Sequence, residues 1–175
     1  PLSMTEKPFL AGAGVVPKLT FDSCVNPVAD STPRRWRGEI MRAIWGKSSP
    51  ARCAEVVLTL LVKGHLVDVQ MAAVVRIVMV TARMLERHPQ YEEILLRIIQ
   101  ARNPEALTGG FISHRLMVRR TAVPFGPGLQ FLWALGQLCW RFQGSLRVIR
   151  RLSTGEEFDL CTPDKKWLGH IIRED

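Results

Sequence analysis

The run LVDVQMAAVVRIVMVTARML at residues 66–85 constrains this chain more than any other segment. Its length suits a helix that spans a bilayer, yet it carries Asp68, Gln70, Arg76 and Arg83. A central arginine costs roughly 2.5–3.5 kcal/mol even on the lenient insertion scale, so no membrane span is expected. The run reads instead as a helix over residues 67–87, apolar on nearly every face. Such a helix belongs at the centre of a bundle, covered by its neighbours.

The rest of the chain must supply those neighbours. Asp30, Ser31 or Thr32 offers an N-cap, and Pro33 suits the first position of a helix over residues 33–46. Its Trp36, Ile40, Met41 and Ile44 share one face. Pro50 opens a second helix over 50–63 that buries Val56, Val57, Leu60 and Leu61 and ends at Gly64. His88-Pro89 stops the central helix, and a helix over 91–102 turns Ile94, Leu95, Ile98 and Ile99 inward. A short helix is expected over 112–120. After Pro124-Phe125-Gly126-Pro127-Gly128, the sharpest break in the chain, another runs over 129–138 with Leu129, Leu132 and Trp133 on one side.

Beyond residue 138 the period changes from helical to extended. Residues 140–142, 146–152 and 158–160 read as short strands separated by Gln143-Gly144-Ser145 and Ser153-Thr154-Gly155-Glu156. Thr162-Pro163-Asp164 opens a last helix over 165–173, which reads as cut short by the chain end. Residues 1–33, with prolines at 1, 8, 17, 27 and 33, read as an extended N-terminal arm with a short strand near Lys18 and Phe21. The expected fold is mainly α with a small antiparallel β element (α+β): a helical bundle, a short three-stranded sheet and a C-terminal helix. The bundle occupies 34–108, and residues 109–175 form a helix plus a small β-sheet subdomain packed on it.

The opening residue is Pro1 and the nearest methionine Met4, which suggests a processed chain or a piece of something longer. The opening stretch has no basic start followed by an apolar core, so no signal peptide is expected. Cysteines at 24, 53, 139 and 161 are too sparse for a disulfide-built fold. They read as reduced, mostly buried thiols in an intracellular compartment, nuclear or cytoplasmic.

A search for chemistry yields no catalytic residue, and no enzyme is expected. No CxxC, HxxxH or HExxH occurs, which leaves spatial convergence of Cys24, Cys53, His65 and His170 as the one route to a metal. No metal or cofactor is expected. No GxSxG is present, and His65, His88, His114 and His170 fall at helix ends or loops. Glu92-Glu93 and Glu156-Glu157 read as solvated caps or turns, and Gly12-Ala13-Gly14 lacks the rest of a phosphate-binding fingerprint.

What remains is positive charge. Lys and Arg total 24 against 16 Asp and Glu, a formal net charge of +8, and 18 of the 24 are arginine. Arginine's planar fork binds phosphate in a bidentate way and stacks on exposed bases. Three clusters are the candidate nucleic-acid contacts: Arg34, Arg35 and Arg37; Arg115, Arg119 and Arg120; and Arg141, Arg147, Arg150 and Arg151. Strand alternation over 146–152 puts Arg147 and Arg151 on one face, with Leu146, Val148, Arg150 and Leu152 on the other. Such a sheet, near Trp140 and Phe142, could carry a phosphate backbone. The competing reading is a structural or assembly subunit that docks on other protein subunits, for which five tryptophans and seven phenylalanines offer material.

Several short motifs carry a resemblance. They are Leu19-Thr20-Phe21, Asn26-Pro27, Arg34-Arg35-Trp36-Arg37, Arg42-Ala43-Ile44-Trp45-Gly46, Ala51-Arg52-Cys53-Ala54-Glu55 and Lys63-Gly64-His65-Leu66-Val67-Asp68. Phe125-Gly126-Pro127-Gly128, Trp140, Phe158-Asp159-Leu160 and Trp167-Leu168-Gly169-His170 continue the series. In this order they resemble the region after the polymerase palm in LINE-like (non-LTR) retrotransposon reverse transcriptases of protists. The resemblance implies a helical thumb or connector that grips RNA or an RNA–DNA duplex while the chemistry occurs elsewhere. The chain has no Tyr-x-Asp-Asp, so polymerase activity does not carry over.

Overall fold

The computed structural model describes residues 6–21, 23–26, 31–45, 67–102 and 126–174. The architecture is mainly helical, with a small three-stranded antiparallel sheet and a C-terminal helix, an α+β fold. The helices expected over 50–63 and 112–120, and the boundary expected at residue 109, lie outside the described residues. Two compact units divide the chain: Pro1–Ser23 with Val28–Ala73, and Cys24–Pro27 with Val74–Asp175.

In the first unit the segment expected to be an extended arm is helical. Helix α1 (Glu6–Leu10) leads through a π-helical turn, Ala11–Val15, into α2 (Val16–Leu19). Of the prolines that suggested irregular structure, Pro8 and Pro17 sit in first turns, where a helix has least use for the missing N–H. The strand expected near Lys18 is therefore replaced by the end of α2. There the Thr20 hydroxyl donates to the Val16 carbonyl at 3.0 Å, and the Ser23 hydroxyl donates to the Thr20 carbonyl at 2.8 Å. Helix α3 (Ser31–Trp45) starts two residues earlier than its proline suggested. Its buried Ile40 and half-buried Trp36 and Met41 pack with Val16, Val67 and Val69.

Helix α4 (Val69–Arg87) begins where Asp68 caps it. The Asp68 carboxylate accepts from the backbone N–H of Gln70 at 2.8 Å and of Met71 at 3.2 Å, and also pairs with Arg37. One carboxylate thus satisfies the helix start and ties α3 to it. Among the described residues no helix is long and apolar enough to cross a membrane.

In the second unit α4 buries Val74, Ile77, Val78, Ala82 and Leu85 but exposes Val80, Arg83 and Arg87. It is two-sided, where the sequence led us to expect an apolar surface all round. Helix α5 (Tyr91–Arg102) follows His88-Pro89 and buries Leu95 and Ile99. Ile94 and Ile98, expected inward, are 51% and 41% exposed. The Leu95–Ile99 row packs on helix α6 (Pro127–Gln137) at Gly128, with Ile98 at the margin of that contact. A Cβ at Gly128 would stand 3.5 Å from both Leu95 and Ile99.

Strands β1 (Trp140–Gln143), β2 (Ser145–Arg151) and β3 (Glu157–Asp159) form a meander in sequence order. Gly144 and Gly155 make its turns at φ of 65° and 74°, which other residues adopt only under strain. The β1–β2 register shifts between Phe142 and Gln143, so alternation breaks inside β2. Leu146 and Ile149 are both buried, while Val148, expected on the apolar face, is exposed. Glu92 of α5 holds this bulge. Its carboxylate accepts from the Ser145 hydroxyl at 2.5 Å and from the Leu146 N–H at 2.8 Å.

Helix α7 (Lys165–Glu174) is capped by Asp164, which accepts from the N–H of Lys166 and Trp167. It buries Leu168, Ile171 and Ile172 against Phe131, Leu135 and the sheet. Trp140, Phe158 and Trp167 stack edge to face, with centroids 5.1 and 5.5 Å apart.

Two substitutions test these supports. Asp68→Ala should lower stability by about 1–2 kcal/mol in a urea melt, and Asp68→Asn by less, because the amide oxygen still caps the helix. Glu92→Ala should cost about 1.5–3 kcal/mol, with the midpoint lowered and the urea dependence unchanged, because it strips a charged acceptor from the bulge.

Candidate nucleic-acid interface

Carboxylates match the arginines of the sheet. Arg147 lies 3.3 Å from Asp159, Arg151 3.3 Å from Glu156 and Arg150 4.0 Å from Glu157. The antiparallel register that sets Val148 opposite Asp159 and Arg150 opposite Glu157 brings these charges together. Arg141 on β1 is half-buried, opposite Arg150 in the β1–β2 register. Arg147 is held above the ordinary arginine value, by the Cys161 sulfur first and by Asp159 next. The expected display of Arg147 and Arg151 on a bare face does not form, because Asp159 of β3 stands beside the first and Glu156 of the preceding turn beside the second.

The other candidates divide. Arg37 pairs with Asp68, and Arg35 is exposed on α3. Arg34 lies in α3, its side chain outside the described residues, and Arg115, Arg119 and Arg120 lie outside them altogether. Arg35 and Arg37 belong to the first unit, and Arg141, Arg147, Arg150 and Arg151 to the second.

A different set of cations does converge. Val75, Met79 and Arg83 form one row of α4, four residues apart. Lys165, Lys166, Gly169 and Arg173 form a matching row on α7. Between them runs a groove of about 490 Å³, lined by the apolar Val75 and Met79 and by cations from both helices. Lys165 pairs with Glu86 at 3.0 Å. Among the described residues no carboxylate pairs with Arg83, Lys166 or Arg173. Nearby acids are otherwise engaged: Asp164 caps α7, and Glu174 lies 3.3 Å from His170.

Helix stability does not explain Lys165 and Lys166. They open α7, where the helix dipole disfavours cations by about 0.3–1 kcal/mol each. Lys165 is accounted for by Glu86, which it faces at 3.0 Å. Sequence reading missed the groove because Arg83 entered it only as a cost to membrane insertion and α7 only through its apolar stripe. The available signal was the spacing Lys166, Gly169, Arg173, a cationic row with a gap in the middle.

No cluster of metal-ligating side chains occurs among the described residues. Cys161 is buried and donates to the Ala82 carbonyl at 3.8 Å, whereas Cys139 is exposed at a φ of 53°. Burial pushes the Cys161 thiol up, with Arg147 and Lys165 pulling it the other way. A raised value keeps the thiol protonated near neutral pH. Alkylation of the folded chain at pH 8, mapped by mass spectrometry, should modify Cys139 promptly and Cys161 only after unfolding or at higher pH.

No family model matches this chain, and neither a curated protein nor a solved structure matches it.

Proposed function

We propose that this chain is a non-catalytic nucleic-acid-binding module that holds a phosphate backbone in the α4–α7 groove. One observation carries the reading: Arg83, Lys166 and Arg173 converge without carboxylate partners, while Arg147, Arg150 and Arg151 of the sheet are neutralised by theirs. Guanidinium and ammonium groups left unmatched on a concave surface favour a polyanion. The likeness to the thumb or connector of retroelement reverse transcriptases points the same way, toward RNA or an RNA–DNA duplex held for chemistry done elsewhere. A reducing intracellular setting accords with Cys24, Cys139 and Cys161 forming no disulfide with one another.

A second reading, an assembly subunit that docks on protein partners, draws on Tyr91, Ile94 and Ile98, exposed at i, i+3 and i+7 of α5.

Binding to labelled RNA, followed against salt, separates the two. Three or four phosphate contacts give a slope of log affinity on log salt between about −2 and −3.6. Replacing Arg83, Lys166 and Arg173 together by glutamate should abolish binding, whereas Arg150→Gln should leave it within about twofold. A flat salt response, with self-association insensitive to salt, would favour the assembly reading.

A further inference from the structure

Resting on the nucleic-acid reading, we infer that Gly169 is a positioning residue. It seats the Arg173 guanidinium on the backbone of α7 and so presents that charge in the groove beside Lys166. Gly169 lies inside a helix of 10 residues, Lys165–Glu174, where glycine is unfavourable because the unfolded chain keeps more freedom. Turns account for Gly126, Gly144 and Gly155, whose φ values are positive, but Gly169 is not one of these. Close packing accounts for Gly128, which Leu95 and Ile99 approach. At Gly169 no other element comes near. Among the described residues the one side-chain atom that a Cβ would meet is Arg173 Nη2, at 3.5 Å.

Helix geometry explains that contact. Side chains lean toward the N-terminus of their helix and cover the turn before their own Cα. Arg173 accordingly lies back over Gly169, four residues earlier. Gly169 is buried although Arg173 is exposed, so the guanidinium covers the backbone while the residue as a whole stays open to water. Lys166, three residues before Gly169, is its neighbour on the same helix surface. Folding back therefore carries the Arg173 charge roughly one turn, about 5.4 Å, toward Lys166. Like charges drawn together repel, an arrangement that gains nothing until an anion joins them.

The seat also prepares the side chain for binding. An unrestrained arginine loses rotamer freedom when it grips a phosphate, and a side chain already ordered loses less. A residue larger than alanine at position 169 would occupy the seat and turn Arg173 away, leaving Arg83 and Lys166 as they are. Alanine would not, because its Cβ at 3.5 Å makes an ordinary van der Waals contact.

The test measures binding of the full chain to a labelled RNA duplex between about 50 and 200 mM salt. Gly169→Leu keeps the net charge, yet should weaken binding about fivefold at the lower salt. It should also make the slope of log affinity on log salt shallower by about 0.7–0.9, the loss of one phosphate contact. Arg173→Gln should do the same, and the double variant should lose no more than either alone, because both remove one contact. Gly169→Ala should bind within about twofold of the unaltered chain and unfold at higher urea. An unchanged slope in Gly169→Leu, or losses from the two substitutions that add, overturns the inference but leaves the nucleic-acid reading in place. So does a loss in Gly169→Ala as large as in Gly169→Leu. Should the leucine variant lose its cooperative urea transition, Gly169→Val makes the same comparison with less bulk. Failure of both to fold would assign the space over Gly169 to the core and overturn the inference as well. Absence of salt-dependent binding by the unaltered chain overturns the underlying reading itself.

Discussion

Helix α4 has one row of side chains that must leave water, Val74, Ile77, Val78, Ala82 and Leu85, and the second unit is arranged around that need. Burying aliphatic side chains of this size stabilises by about 1.5–3 kcal/mol each, far more than any surface pair. Once this row faces Phe131, Leu146, Ile149 and Ile172, the orientation of α4 is fixed. The same holds for α7, whose Leu168, Ile171 and Ile172 face the same core. The flanking rows of the two helices have no freedom of their own. The groove is where those rows meet, so its geometry is set by the core beneath it and its chemistry by residues the core does not use.

In the second unit the charges of the sheet and those of the groove are arranged differently. Along the sheet, arginines and carboxylates answer each other across paired strands, and exposed pairs of this kind are worth only about 0.2–1 kcal/mol. They hold register more than they hold stability. In the groove, positive groups stand together without an acid between them, apart from Glu86 beside Lys165. A net charge of +8 is thus distributed unevenly, and arginine content alone does not locate it.

Much of this was legible in the sequence. The strands lie within a residue or so of where hydrophobic alternation and Gly144 and Gly155 put them, and Asp164 and His88-Pro89 mark helix boundaries as their chemistry dictates. The failures have two causes: a local conformation that residue type alone does not reveal, and partners brought in from other elements. Pro8 and Pro17 look like breakers until the turn in which each falls is known. Ile94 and Ile98 look like core until it is seen that the packing on α6 centres on Leu95 and Ile99 and leaves them at its margin. The register shift at Phe142 moves Val148 outward, and no local pattern announces it. Arginines of β2 look available until β3 lies beside them. The groove required two helices from opposite ends of the second unit, each unremarkable alone.

The outer strands of the sheet are β1 and β3, four and three residues long. A sheet margin is a template onto which a foreign strand can add, and brevity and charge are the usual defences. Glu157 and Asp159, alternating along β3 and held by Arg150 and Arg147, put ionised groups where an incoming chain would have to desolvate them. The arginine–acid ladder thereby discourages the molecule from polymerising through its own rim.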